Sequence, residues 1–535
     1  MGKKKIKKKL PLRKRLVWGY LLCMFTLFPV FCTDGYFNIR HDRYYFFLFL
    51  SLVTLCLYGV LRVLGGGDNK GLPQNLQAVH ARRTGPWYRR LSFGDWSMLV
   101  LVVAAGISTV LSKYPMDALL GTQGRNNGLI LLLVYGGVYF LITRWTVSSE
   151  GIFRGLGITS GLVSLVTLLN FFGLDPLQML GELSARDQNI FISTIGNKNF
   201  LSGYLCITVP AMSTLFIHAQ RKGDRVLYLI WAVVGFSALM CADSDSGLLG
   251  MGAFCLLELM VYIREPGKLK RLLLVLSSML LGAKAVFSAT NALKLDSRGL
   301  GSIQSWLLFS WDTTAVLVGM VVLTVVLYLI HRSKPELRLP GVVQLLTVAV
   351  VTAGVAAVVS AMIYYTVLAP QQPLEESWSI LRLDDAWGTN RGFMWRRSIE
   401  IFREASWKDK LLGTGPDTFY AAFAPYFQEL AQYGDSSTNA AHNEYIHYLI
   451  TQGLAGLGAY LAVLIAGIAN ALRCGKKDPS YLVVLSGVIA YAAQAMVNVA
   501  QPITTPLFII SLSLAARKLP DKKKKAPYVL HKQKK

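Results

Sequence analysis

The sequence predicts an all-α polytopic membrane protein, and three observations carry that reading. The chain is 53% hydrophobic and only 16% charged over 535 residues, with mean hydropathy +0.43, where a soluble chain carries roughly a quarter charged residues. Apolar stretches such as "YYFFLFLSLVTLCLYGVLRVL" have the length a helix needs to cross a bilayer. The net charge of +25 is spread in short clusters between those stretches and at both ends, among them "KKKIKKKLPLRKR", "HARRTGPWYRR", "REPGKLKR" and "KLPDKKKK". That is the distribution of cytoplasmic loops under the positive-inside rule. It argues against nucleic acid as a partner, despite a pI near 9.7.

About fourteen spans follow, near residues 15–33, 44–64, 96–112, 128–145, 152–172, 198–217, 226–242, 246–263, 272–290, 308–330, 341–367, 445–471, 480–498 and 503–516. The N-terminus is basic and then apolar, like a signal peptide. Cys32-Thr33-Asp34 offers no small-residue cleavage site, so the segment reads as a retained first span. With the lysine-rich N-terminus inside, every basic cluster falls on the cytoplasmic side, and both termini are cytoplasmic. The outer face then receives 34–43, 113–127, 173–197, the "DSDS" turn at 243–246, 291–307 and a large segment over 368–443. The expected organisation is a basic tail, two spans and a basic loop over 1–95, a central bundle over 96–367, and the large outer loop over 368–443. C-terminal spans over 444–516 and a basic tail over 517–535 complete it. The seven cysteines lie mostly within apolar segments without metal-ligand spacing, and read as small buried hydrophobes.

The large loop has a composition that favours order. Trp378, Trp387, Trp395, Trp407, Phe402, Phe419, Phe423 and Phe427 supply apolar surface that disordered segments lack. "RGFMWRRSIEIFREASW" reads as an amphipathic helix with Trp395, Ser398, Ile399 and Phe402 on one side. "LLGTGPDTF" reads as a turn whose glycines give backbone freedom. No strand precedes it and no Gly-Lys-Ser/Thr follows, so it is not a phosphate loop. Any group transfer on this face works without ATP or nucleotide sugars, and needs a donor already energised and already across the membrane.

Four stretches carry a likeness. His442-Asn443-Glu444-Tyr445 with "LITQGLAGLGAY" resembles the signature of the O-antigen ligase and polysaccharide polymerase superfamily. "GTQGRNNGL" at 121–129 is similar to the family's arginine-containing outer loop, and "TIGNKNFLSGYL" at 194–205 to its Gly-Asn-x-Asn-Phe start of a middle span. "NRGFMWRRSIEIF…LLGTGPDTF" at 390–419 resembles its Arg-x-x-x-Trp helix and Gly-x-Gly-Pro turn. One departure stands out: many ligases begin a central span with Ser-Arg-Gly, where this chain has Asp245-Ser246-Gly247. The missing arginine tilts the reading toward a relative whose acceptor is not lipopolysaccharide.

The resemblance implies a GT-C-like scaffold in a bacterial cytoplasmic (inner) membrane. It also implies glycan transfer in cell-envelope polysaccharide biosynthesis, from an undecaprenyl-diphosphate-linked donor to a hydroxyl of a glycan, lipid or protein acceptor, with no metal and no other cofactor. In that reading His442 is the general base or orients the acceptor hydroxyl. Arg391 stabilises the departing diphosphate, with Arg125 as a second clamp. Asn443 and Tyr445 position the substrate or His442, while Asn197 and Trp395 line the site. Plainer roles stand beside these. His442 can be structural at a helix start, Arg391 can cap its helix or pair with Asp384 or Asp385, and Arg125 can be an interfacial anchor. Asn197 and Asn199 can cap the next span. His447 reads as a packing or supporting residue, and "GLAGLGAY" as small residues for close helix approach.

The competing class is a transporter or flippase of lipid-linked oligosaccharide. Against it, the spans are poor in midplane charge, no internal repeat is visible, and the distinctive residues cluster outside. A peptidoglycan-type polymerase of the shape, elongation and division proteins ranks below both, because its outer-loop motifs differ.

Overall fold

The computed structural model describes residues 11–64, 87–122, 124–144, 150–294 and 297–519. The basic stretches expected at 1–10, over most of the 65–95 loop and in the tail from 520 lie outside them. The described chain is almost wholly helical. Its sheet is one two-residue pairing, Phe191↔Asn197 and Ile192↔Gly196.

A helix occupies each of the fourteen expected segments. In chain order they are α1 Leu12–Thr26, α2 Ile39–Leu64, α3 Phe93–Val110, α4 Leu129–Thr143, α5 Glu150–Phe171, α6 Lys198–His218 and α7 Lys222–Cys241. Then come α8 Asp245–Tyr262, α9 Pro266–Ala292, α10 Trp311–Ser333, α11 Gly341–Ile363, α12 Glu444–Gly475, α13 Ser480–Gln494 and α14 Thr505–Ala516. Among the described residues, eleven are long and apolar enough to cross a membrane; α4 and α14 are apolar but shorter, and α1 is 15 residues long.

Helix α6 is the hub. From Leu201 to Thr214 every residue is buried, and α5, α7, α8, α9 and α13 pack around it. Between helices in lipid, association comes from close packing more than from water exclusion. The contact between α8 and α13 shows this: a Cβ on Gly250 would stand 2.6 Å from the Ala490 carbonyl oxygen. Helix α11 lies outermost and buries none of its side chains.

The segments 113–127, 173–197, 243–246, 291–307 and 368–443 gather at one end of the bundle. Tyr36 donates to the Ser193 carbonyl at 2.6 Å, Arg298 to the Phe191 carbonyl at 2.9 Å, and the Gly301 amide to Asp243 at 2.7 Å. The large loop has its own small core of Phe393, Met394, Phe419, Phe423, Leu430 and Ala441 seated on Ile450 of α12. Its main helix is regular only after a left-handed stretch at Gly388, Thr389 and Asn390. The buried stripe is Phe393, Met394 and Ser398, about one position N-terminal to the expected Trp395, Ser398, Ile399 and Phe402 set.

The "GLAGLGAY" stretch differs from its reading as helix-packing glycines. Gly453 breaks α12 with φ 62° and ψ −167°, a mirror-extended conformation that is essentially glycine-only. Facing it, Gly413 has φ 75° and ψ −175°. The two backbones touch: a Cβ on Gly453 would lie 2.4 Å from the Leu411 carbonyl carbon. An unbroken helix would commit the carbonyls of Ile450 and Thr451 to residues four positions on. Here they accept from the Thr414 amide at 3.1 Å and the Gly415 amide at 2.9 Å. The loop is thereby docked on α12 backbone to backbone. Gly453→Ala should cost more than about 3 kcal/mol, from the forbidden conformation and the clash together. A lowered unfolding temperature, with protease cleavage appearing near residue 413, is the expected readout.

Candidate functional site

Backbone strain singles out the loop-bearing end. Among the described residues, nine other than glycine have φ between 47° and 66°: Asn126, Gln178, Ser193, Asp243, Lys294, Thr389, Asn390, Asp417 and His442. All lie in the segments gathered at that end, and none of the described residues at the opposite end joins them. Such conformations cost about 1–3 kcal/mol each and persist where surrounding structure holds them, commonly at functional sites.

At the centre of this end is Asp417, in the "GTGPD" turn. Its side chain is sealed from solvent. Oδ2 accepts from the amides of Thr122 and Asn127, both at 3.0 Å, and from the Thr122 hydroxyl at 3.1 Å. Oδ1 accepts from Arg125 Nε at 3.1 Å, and His447 Nε2 stands 3.7 Å away. Burial pushes the carboxyl up from its ordinary value, while Arg125 and the donated hydrogen bonds hold it down. Beneath it lies a cavity of about 30 Å³ lined by Asn127, Tyr135, Asp417, His447 and Gln452 among others. Asn127 Oδ1, the Tyr135 hydroxyl, His447 Nδ1 and Gln452 Oε1 are buried without a hydrogen-bond partner. That room and those atoms suit one or two water molecules.

Arg125 is 1% exposed. Nε is committed to Asp417, Nη2 donates to the Ala500 carbonyl at 3.1 Å, and Nη1 alone is left without a partner. The sequence suggested either a clamp or an interfacial anchor. At 1% exposure Arg125 is no interfacial anchor: the guanidinium is a buried tie between the 113–127 loop, the large loop and the α13–α14 connection, with one nitrogen uncommitted. Arg40, at the start of α2, rests on Gly124 beside it: a Cβ there would lie 3.5 Å from Arg40 Nη1.

His442 adopts φ 49° immediately before α12. Asn443 caps that helix, its side-chain oxygen accepting from the amides of Tyr445 at 3.0 Å and Ile446 at 3.1 Å. The preceding carbonyl, of Ala441, accepts from Trp395 Nε1 at 2.9 Å, and Trp395 packs against Trp387 with ring centroids 5.2 Å apart. The imidazole is thus bracketed by two backbone anchors. Among the described residues it makes no hydrogen bond or ion pair of its own. Burial first, then the Arg391 and Arg125 guanidiniums, push it down to about 3, so it is neutral at physiological pH.

Arg391 begins the regular part of the loop helix. Neither expected partner takes it: Asp385 is held by Arg396 at 2.6 Å, and among the described residues Arg391 forms no salt bridge or hydrogen bond. Burial lowers its pKa; Asp245 is the carboxylate close enough to act against that. Asp245 itself accepts from Gln304 Nε2 at 3.1 Å. Where many ligases have arginine, Ser246 is buried among Ser202 at 3.1 Å, Ser244 at 2.9 Å and Gln494 at 3.3 Å.

The structure therefore gathers His442, Arg391 and Arg125, with Trp395 and Asn443 supporting the backbone around His442. It does not bring Asn197 or Tyr445 to them through a free polar group. Asn197 caps α6, accepting from the Asn199 amide at 2.8 Å. The Tyr445 hydroxyl donates to the Ala492 carbonyl at 2.7 Å. Sequence reasoning missed Asp417 and Arg40. Asp417 stood within the quoted turn, where only the glycines drew comment. Arg40 sat in the 34–43 segment with no motif around it. His447, read as a supporting residue, is 7% exposed and stacks on Phe419 at 5.5 Å. Asp417→Asn should leave the Arg125 charge buried and unpaired, at a cost of about 3–5 kcal/mol. Thermal unfolding of the purified variant, compared with Asn127→Ala, checks it.

Comparison with known proteins gives one family. The family model described as O-Antigen ligase matches residues 299–461, a segment that holds Arg391, Asp417, His442 and Gly453 and leaves out Arg125 and Asn197. No curated protein matches the chain. That match runs from α10 and α11 through the large loop into the first half of α12, and over this segment the chain is similar to the O-antigen ligase family.

Proposed function

We propose that the chain is a membrane glycosyltransferase of ligase or polymerase type. It transfers glycan from an undecaprenyl-diphosphate-linked donor to an acceptor hydroxyl, on the outer face of a bacterial cytoplasmic membrane and without a metal. The observation that carries this reading is a neutral imidazole beside a guanidinium, the first with no hydrogen bond and the second with no carboxylate within 4.0 Å among the described residues.

In the reaction, the acceptor oxygen attacks the anomeric carbon while its proton passes to a ring nitrogen of His442. The bond from that carbon to the diphosphate oxygen breaks, and the electron pair leaves with the diphosphate. Arg391 receives this anion with its planar fork, and the buried Arg125 adds its positive charge from behind. Attack opposite the leaving group inverts the anomeric configuration. Asp417 fixes Arg125 and so sets where its charge sits; Asn443 and Trp395 fix the backbone on either side of His442. The donor makes its own base: its diphosphate offsets the two cations that depress the imidazole, so His442 becomes more basic once the donor is bound.

The direct test is purified protein given a lipid-linked oligosaccharide and a candidate acceptor. His442→Ala should lower transfer by about 10²–10⁴-fold, the usual scale of positioned proton transfer. Arg391→Lys, which keeps charge and loses the fork, should cost about 10²-fold or more. An inactive wild type that scrambles lipid-linked glycan between leaflets would overturn the enzyme in favour of a flippase.

The pH profile follows from the sign of the shift. In the free chain His442 is neutral above about pH 3, so kcat/KM keeps its full value well into acid. In the donor complex the pKa rises toward the ordinary value of about 6.5. The acid limb of kcat should therefore lie at higher pH than that of kcat/KM. Coincident limbs, or an order reversed, would remove His442 as the base.

A further inference from the structure

A second polar pocket opens at the other end of the bundle. Helix α6 runs about 30 Å from the site end at Lys198 to His218, and His218 lines a cavity of about 270 Å³. The wall is built from the C-terminal end of α6, the first turn of α9, the last turn of α10 and the link between α10 and α11. Its charged and imidazole groups are His218, Lys268, Arg271, His331 and Arg338, facing Glu265 and Glu336.

These groups are not equally free. Lys268 pairs with Glu265 at 2.9 Å. His218 Nε2 is bonded to the Tyr262 hydroxyl at 2.7 Å. Arg271 donates Nη1 to the Ile217 carbonyl at 2.7 Å, closing the end of α6, and Arg225 donates to the Ala219 carbonyl at 3.2 Å behind it. Among the described residues, neither Arg271 nor Arg338 has a carboxylate within 4.0 Å. Lys270 adds a further cation close by, its ammonium 5.0 Å from the Tyr328 ring centroid. The His331 ring rests on Gly267, where a Cβ would come within 2.7 Å of Cε1, so the imidazole is seated on the first turn of α9. That turn contributes the positive end of a 27-residue helix dipole.

We infer that this pocket binds a phosphate-bearing anion. Guanidinium, ammonium and imidazole donors converge there with positive charge in excess, the chemistry that recognises phosphate oxygens. The lining holds no Phe, Tyr or Trp ring and no groove that would track a strand, which disfavours a nucleic acid. The site sits at the ends of membrane-type helices, beside the exposed Val342, Leu345 and Leu346 of α11. A phosphate there can arrive as a lipid headgroup, with its chains along that apolar face, or as a soluble phosphate compound.

The experiment uses the full chain carrying Arg391→Ala, so that the glycosyl-transfer site does not take the probe, in nanodiscs of phosphatidylcholine. Inorganic pyrophosphate is titrated by calorimetry, and thermal unfolding is compared between these discs and discs that also contain phosphatidylglycerol. Saturable pyrophosphate binding that weakens about 100-fold in the Lys268→Gln/Arg338→Gln variant, about tenfold for each cation lost, supports a soluble phosphate ligand. Stabilisation by phosphatidylglycerol that the double variant loses, without pyrophosphate binding, supports a headgroup. Neither response, or either one unchanged in the double variant, overturns the inference. Lys268 and Arg338 are partly or fully solvent-exposed and cap no helix, so the variant tests binding and leaves folding intact. The result is independent of whether glycan transfer at the other end is correct.

Discussion

The buried carboxylate of Asp417 is the contact on which the loop-bearing end depends. One side chain collects two backbone amides, a hydroxyl and a guanidinium from the 113–127 loop. Through Arg125 it also reaches the Ala500 carbonyl between α13 and α14. A carboxylate out of water is costly unless its lone pairs are filled and its charge is met, and here both conditions hold. The consequence is positional. Three segments far apart in sequence are brought to one point, and Arg125 is left with a single buried nitrogen uncommitted.

The second constraint is the double break at Gly413 and Gly453. A regular α12 would keep the Ile450 and Thr451 carbonyls inside the helix, and the loop would have only side chains to hold it. Breaking the helix converts two carbonyls into docking points and lets the turn carrying Asp417 sit against the half-helix carrying His447. His442 belongs to the same assembly, one residue before the Asn443 cap. Its left-handed backbone, Asn443 and the Trp395 bond to Ala441 orient the residue without using the imidazole. A ring kept free of hydrogen bonds, and neutral by burial first and neighbouring cations second, is poised to accept a proton once an anion arrives.

Charge is arranged differently at the two ends. At the site end, the two guanidiniums beside His442 are buried or half-buried: Arg125 has Asp417, and Arg391 has no carboxylate within bonding distance among the described residues. At the other end, the cations sit at helix ends, where they cap carbonyls and rim an open cavity. The first arrangement suits a charged leaving group that must be held in a defined direction. The second suits an anion bound by charge with looser geometry.

Apolar run length and the spacing of basic clusters are local properties, so the sequence by itself determined the helical class and the position of each long helix. The motif order located the His442 and Arg391 neighbourhood. The glycines of "LLGTGPDTF" announced a turn because glycine alone tolerates φ of 75° and 123°. Partnerships across distance were not legible. Nothing near Asp417 in the chain says that Thr122 and Arg125, almost 300 residues away, will fill its lone pairs. Nor does "QGLAG" reveal whether Gly453 packs a helix or breaks it, since both uses need the same missing side chain. The tertiary structure decided that Asn197, Asn443 and Tyr445 spend their polar atoms on caps and a backbone tie, and that Arg391 keeps its charge unspent. Hydrogen-bond saturation depends on which backbone groups three-dimensional packing leaves open, and residue type alone does not specify that.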